Sequence, residues 1–453
     1  MSRRRLVGGV FAASSSLAVL LAALHFVGPR ESEGAEGPLG VRGDPRPGSQ
    51  AFDLLPGWSI RSLTRLGDSV NSLVASPRRN GDVYIGTTGV GAVYRMNVLA
   101  PKTVLTVSPG LGDVARFGDC WVNRLAIRDL DGDGSLELIA STSQVAPRGR
   151  PRLYIWSLAT SVPILQAMAR PEIQSSWSHG LGFLPRGDSG AESLFLTFCG
   201  YGEVVEYDYK PATSPGGFQG AALAWKQVGQ LPASGEWSQA ADLDNDGRID
   251  VCLATGYAEH KAAIQSYTSP SRGAGLVLAH EINEQGRFAN VKFLVGDLRG
   301  DGTNDMVAWW CTDHLFDGDC EVTRYHLGPE GVRSREVIAR GKSDLLWPGD
   351  GQTALLDMDA DGRPEVWFAA SSGNLWRYDP TQPTALARVL KTSSLGPIAG
   401  GVMPNSSQPA LILGRGCELL RLDCTAPPLA PTFEHPYDAP PTVDEPLGEM
   451  AVE

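Results

Sequence analysis

The feature that most restricts this chain is a nine-residue acidic pattern that returns four times and runs each time straight into an apolar strand. Its best-preserved copy lies in A-D-L-D-N-D-G-R-I-D-V-C-L-A-T, Ala241 to Thr255, with Asp242, Asp244, Asp246 and Asp250 at positions 1, 3, 5 and 9. Carboxylates at this density repel one another unless a hard cation sits among them, and an all-oxygen ligand set points to Ca2+. Gly247 follows the third aspartate, where a sharp turn resists any residue with a Cβ. An EF-hand loop would need glutamate at position 12, which here is Leu253, so the loop joins two strands and not two helices.

Two further copies are intact: Asp129, Asp131, Asp133 and Glu137 in D-L-D-G-D-G-S-L-E, and Asp357, Asp359, Asp361 and Glu365 in D-M-D-A-D-G-R-P-E. The fourth, D-L-R-G-D-G-T-N-D, keeps Asp297, Asp301 and Asp305 but carries Arg299 at position 3, and a guanidinium cannot ligate a cation. The last carboxylates fall at 137, 250, 305 and 365. The first gap is about twice the other two, and L-P-R-G-D-S-G-A-E fills its middle as a degenerate copy with Asp188 and Glu192. One step back from Glu137 reaches Asp82, and the strand P-A-L-I-L-G at 409 supplies a last mark. Seven units with about four strands each, and no helical periodicity, predict an all-β, seven-bladed β-propeller of about 53–58 residues per blade. The last unit lacks an outer strand, and Trp58–Leu66, which precedes the first unit, is predicted to supply it and close the ring.

The repeated D-x-[DN]-x-D-G-x-x-[DE] followed by an apolar strand resembles the FG-GAP/VCBS repeats, the calcium-binding propeller repeats of integrin α-subunit heads and of many exported bacterial proteins. The resemblance implies Ca2+ held in the loop between the first two strands of a blade. It also implies backbone carbonyl ligands at position 7, which are Ser135, Arg248, Thr303 and Arg363, beside the carboxylates at positions 1, 3, 5 and 9. Such an ion would pin a turn and keep a hairpin in register, a structural role.

Charge and termini limit the partners and the compartment. The formal net charge of −12 argues against nucleic acid, and fifteen of the carboxylates belong to the four loops, so four bound Ca2+ would bring the total to about −4. The chain opens M-S-R-R-R and continues apolar to Gly28, a run long enough to span a bilayer; residues 1–28 read as a signal peptide or an uncleaved signal anchor. Either way the body of the chain is expected to be exported, to the periplasm, the cell surface or the medium, and tethered to the membrane if the anchor stays. Residues 29–50 read as a flexible linker, 51–424 as the propeller and 425–453 as a disordered acidic Pro-rich tail. Cys311 with Cys320, and Cys417 with Cys424, are spaced for hairpin or adjacent-strand disulfides, while Cys252 reads as a buried small hydrophobe.

Tryptophans precede the first strand of several units: Trp121, Trp177, Trp237 and Trp347. In a propeller that end of the inner strand opens near the axis, opposite the acidic loops. These rings, with Asn123, Arg124, His179, Gln239 and Asp350 nearby, are expected either to line a central mouth suited to sugars or peptide side chains, or to wedge between blades as packing. G-D-S-G at 187–190 has no histidine and aspartate context of a serine protease, and no metalloprotease, P-loop, nucleophile-elbow or dinucleotide motif is present. The reading is a non-catalytic Ca2+-binding module for an extracellular protein or carbohydrate ligand. A polysaccharide-active or cofactor-dependent enzyme using the mouth, and a structural envelope component, stand as alternatives.

Overall fold

The computed structural model describes residues 52–424, apart from 79, 113–119, 145–149, 176, 187–189, 212–221, 233, 257–261, 269–274, 285, 314–317, 360, 383–384 and 403–408. The segments 1–28, 29–50 and 425–453 and Asp188 therefore lie outside the described residues. Among the described residues no helix is long and apolar enough to cross a membrane.

Seven antiparallel sheets form the body, six of four strands and one of five. Their inner strands begin at Val70, Cys120, Ser178, Ser234, Asn290, Pro348 and Ile398, and each sheet runs outward in chain order apart from an N-terminal strand added at the outer edge of two of them. This is a seven-bladed β-propeller. The four strands of blade six run Pro348–Leu356, Glu365–Ala370, Asn374–Tyr378 and Leu386–Lys391, as a unit of about four strands predicts.

The second strand of a blade is flanked by its own sheet on both edges and by neighbouring blades on both faces, so it is buried and mostly apolar. Asp250–Gly256, Asp305–Cys311 and Glu365–Ala370 are buried at every residue, whereas the outermost strand of blade three, Ala222–Gln230, is mostly exposed. The core is thus not one centre but a ring of layers between blades. Val307, Trp309, Val366 and Phe368 fill the space between blades five and six, and Trp58, Trp367, Leu411 and Leu422 that between six and seven. Val83, Met96, Ala410 and Ile412 join blades seven and one. Trp309 meets Phe368 edge-on at 5.1 Å. Burying one such ring removes roughly 200 Å2 from water, worth about 5 kcal/mol. Where the layer is thinnest only glycine fits: a Cβ on Gly400 would sit 2.1 Å from the Leu356 side chain of the preceding blade.

The ring closes as the sequence predicts. Trp58–Arg65 pairs with Glu418–Cys424 from Trp58 opposite Cys424 to Arg65 opposite Glu418, and becomes the outer strand of blade seven. An unforeseen piece precedes it: Asp53–Leu54 pairs with Lys391 and Leu390 as a fifth strand on blade six. The N-terminal segment therefore staples two blades, with Trp58 edge-on to Trp367 at 5.2 Å.

The two cysteine pairs fare differently. Cys311 and Cys320 are direct partners on adjacent strands, and both are buried. The pairing of Cys417 with Cys424 is corrected: Cys417 precedes and Cys424 ends the single strand Glu418–Cys424. An extended strand of that length separates them by roughly 20 Å, far beyond disulfide reach.

Candidate functional site

The four acidic loops all lie between the first and second strands of blades two, four, five and six, with the position-9 carboxylate as the first residue of the second strand. Each folds around its first aspartate, which caps the turn by accepting backbone N–H groups. Asp129 Oδ1 accepts from Gly132 at 2.8 Å and Asp133 at 3.1 Å, and its Oδ2 from Gly134 at 2.9 Å. Asp242, Asp297 and Asp357 accept in the same way from Gly247, Gly302 and Gly362 at 2.9, 2.8 and 2.9 Å. The turn needs a left-handed residue there, and Gly247 has φ 87°. The position-5 aspartates accept in turn from the position-7 N–H: Ser135 at 2.6 Å, Arg248 at 2.8 Å, Thr303 at 3.0 Å and Arg363 at 2.9 Å.

What differs is the charge that faces the carboxylates. In blade two, Asp129, Asp131 and Glu137 each offer an oxygen, all within 4.8 Å of one another. Burial pushes the Glu137 carboxyl up to about 8, and the charges of Asp131, Asp133 and Asp129 push the same way. Their field reaches Tyr209 of blade three, whose phenol is raised by burial and then by Glu137, Asp131 and Asp133. In blade four Asp242, Asp244 and Asp246 converge likewise, and burial together with Asp244 raises Asp250 to about 6. Asp250 accepts from Ser266 Oγ at 3.3 Å, and His280 Nε2 lies 3.1 Å from Asp244.

Blades five and six carry cations of their own. Arg299 turns into its loop, with Nη2 3.1 Å from Asp301 and Nε 3.3 Å from Asp305. Arg324 Nη2 at 2.6 Å and His326 Nδ1 at 2.9 Å also meet the fully buried Asp305. In blade six Asp357, Asp359 and Asp361 converge, as do Asp359, Glu365 and Asp379. Arg377 lies among the second group, 2.6 Å from Asp359, 2.7 Å from Glu365 and 3.1 Å from Asp379. Arg363 Nε donates to Asp361 at 3.0 Å, and burial raises Glu365 to about 7 against the pull of Arg377. The donor chemistry of blades two and four thus fits a hard cation; that of blade five does not.

At the other end of the inner strands the four tryptophans separate into two kinds. Trp121 and Trp177 are half-buried and meet edge-on at 4.9 Å, with the His179 ring 6.4 Å from Trp177. Trp237 and Trp347 are buried, 9% and 5% exposed, and do not form an open lining. The Arg124 guanidinium stacks over Trp237 at 4.3 Å, and the Lys292 ammonium lies 5.4 Å from Trp347 and 6.0 Å from Trp237. Desolvated cation–π contacts of this kind are worth about 2 kcal/mol each.

The polar neighbours are inter-blade tethers. Arg124 Nε donates to the His179 carbonyl at 2.6 Å and Lys292 Nζ to that of Pro348 at 3.1 Å. Gln239, expected to face a ligand, uses both ends of its amide on blade five: its Nε2 donates to Val295 O at 2.8 Å and its Oε1 accepts from Val295 N at 3.0 Å. His179 Nδ1 lies 3.5 Å from Glu236, and Glu236 accepts from Ser234 Oγ at 2.8 Å. The cross-blade contacts among these are invisible in the sequence because each joins residues about 55 positions apart.

No protein family is matched by the sequence, and no curated protein matches it. Among solved structures, the chain is similar to the Pan2 WD40 domain of Neurospora crassa, with 10% identity, a TM-score of 0.46, and 82% of this chain and 96% of that one covered. It is also similar to Sqt1 of Saccharomyces cerevisiae, with 11% identity, a TM-score of 0.48, and 80% of this chain and 98% of that one covered.

Proposed function

We propose that this chain is a Ca2+-stabilised propeller of the FG-GAP/VCBS type that works as a binding module and does not catalyse. One observation carries the metal: Asp129, Asp131 and Glu137 bring three carboxylates within 4.8 Å of one another, and the charges that act most strongly on Glu137 are all negative. Asp129, Asp131, Asp133 and Glu137 would hold the ion in blade two, with Asp242, Asp244, Asp246 and Asp250 in blade four. The ion would supply the missing positive charge and lock the turn that starts the second strand. Titrating Ca2+ into chelator-treated protein by calorimetry tests this. Saturable binding that disappears in Asp129→Asn with Asp242→Asn supports it, and no heat at any concentration sinks it.

The ligand surface on this reading is the Trp121–Trp177 rim, where one edge-on aromatic pair stays accessible beside His179. Half-exposed indoles with a polar tip suit a sugar face or a peptide side chain, and an exported, membrane-tethered module would meet either outside the cell. A glycan and peptide array probed with the wild type and with Trp121→Ala plus Trp177→Ala checks the surface; a hit bound equally by both removes it.

A further inference from the structure

The four acidic loops share a scaffold but differ at one register position of the third strand. It lies opposite the residue two steps beyond the position-9 acid. In blade two Glu137 leads to Ile139, whose partner is Ile155; in blade four Asp250 leads to Cys252, whose partner is Ser266. In blade five Asp305 leads to Val307 and its partner Arg324, and in blade six Glu365 leads to Trp367 and its partner Arg377. Side chains two apart on a strand share a face, so this residue is set beside the position-9 carboxylate in every blade.

Where it is arginine it reaches that carboxylate: Arg324 to Asp305 at 2.6 Å and Arg377 to Glu365 at 2.7 Å, both arginine side chains only 7% exposed. Blade one repeats the arrangement without a full acidic loop, Asp82 leading to Tyr84 and its partner Arg95, whose Nε lies 4.0 Å from Asp82. A planar guanidinium takes the carboxylate lone pairs that a Ca2+ ion would need at about 2.3–2.6 Å, and its charge repels a second cation a few ångströms away. In blade six one Nη2 spans Asp359, Glu365 and Asp379, the group that an ion would otherwise gather. In blade five Arg299 adds a second guanidinium to the same Asp305.

We propose that this third-strand position decides where each loop's positive charge comes from: Ile155 and Ser266 leave blades two and four to Ca2+ from solution, whereas Arg324 and Arg377 clamp blades five and six from within. The proposal rests on the calcium reading of blades two and four, and it withdraws blade six from the set that the acidic pattern alone would assign.

Counting ions separates the two ideas. Full-length protein is stripped with chelator, dialysed against Ca2+ alone, and its bound metal measured per chain. The expected values are two ions for the wild type, three for Arg377→Ser, and one for Ser266→Arg with the blade-four affinity weakened at least a hundredfold. Three ions in the wild type, unchanged in Arg377→Ser, overturn this inference and leave the calcium reading intact. No ion in the wild type or in either variant overturns the calcium reading and this inference with it. If Arg377→Ser fails to fold, Ser266→Arg decides alone, and two ions retained there overturn the proposal.

Discussion

The two ends of the inner strands are held together on opposite plans. On the loop face, Asp129, Asp242, Asp297 and Asp357 satisfy the N–H groups of their own turns, three to five residues away. At the mouth, Arg124 bonds to blade three and stacks on blade four and Lys292 reaches blade six, while further along the inner strand Gln239 grips blade five. Damage to a loop should therefore stay in its blade, while damage at the mouth should loosen the ring.

The largest effect tests the mouth. Trp237→Ala removes a buried ring in contact with both Arg124 and Lys292, and should cost about 3–5 kcal/mol of unfolding free energy. Trp121→Ala, at a half-buried ring, should cost about 1 kcal/mol. Urea denaturation of the pair measures both, and equal costs would break the distinction between packing tryptophans and rim tryptophans.

Metal removal tests the loops. At a Ca2+ concentration a hundred times Kd, each occupied site stabilises the folded state by about 2.7 kcal/mol, all of it lost to chelator. Because the loops are local, hydrogen exchange after chelation should rise around 129–137 and 242–250 and stay unchanged around 297–305. A uniform rise over the whole ring would mean that the loop face is coupled as tightly as the mouth.

Next comes Gln239→Ala. It leaves the Val295 N–H and carbonyl without their amide partner, a loss of about 2 kcal/mol. Since the amide joins blades four and five, exchange should rise in both, and a rise confined to blade four would contradict the tether.

The difference between the faces also explains what the sequence made legible. The acidic loops recur because each is complete within nine residues, so their spacing gave the blade count, and the spare strand Trp58–Leu66 gave the closure. Arg299 announced its departure because it occupies a ligand position. Arg377 did not, since it comes from the third strand and meets Glu365 only through sheet register. The same limit hid the mouth: Trp121 and Trp237 look alike in sequence, and it takes the core between blades and cations from blades two and five to cover the second. Cys417 and Cys424 were misread because a spacing of seven fits a hairpin, while here it spans one strand.

The smallest expected effect lies where the loop face breaks its own rule. Asn304 of blade five donates through Nδ2 to the Asp242 carbonyl at 2.9 Å and through its backbone N–H to Asn245 Oδ1 at 2.7 Å. Asn245 is the one non-glycine residue with positive φ among those described, at 57°, and it sits in the middle of the blade-four loop. The bonds from Asn304 hold that left-handed turn and steady Asp242, the first ligand of the proposed site. Asn304→Ala should lower stability by about 1 kcal/mol and weaken Ca2+ binding to blade four several-fold, with blade two unaffected. Asn245→Gly, which accepts positive φ without strain, should lose the other cross-blade bond, the one accepted from the Asn304 N–H, yet keep the turn. Calorimetric titration separates them: if the bond to the Asp242 carbonyl is what steadies the first ligand, Asn245→Gly retains more affinity than Asn304→Ala, and equal losses would show that the bond at Asn245 matters as much.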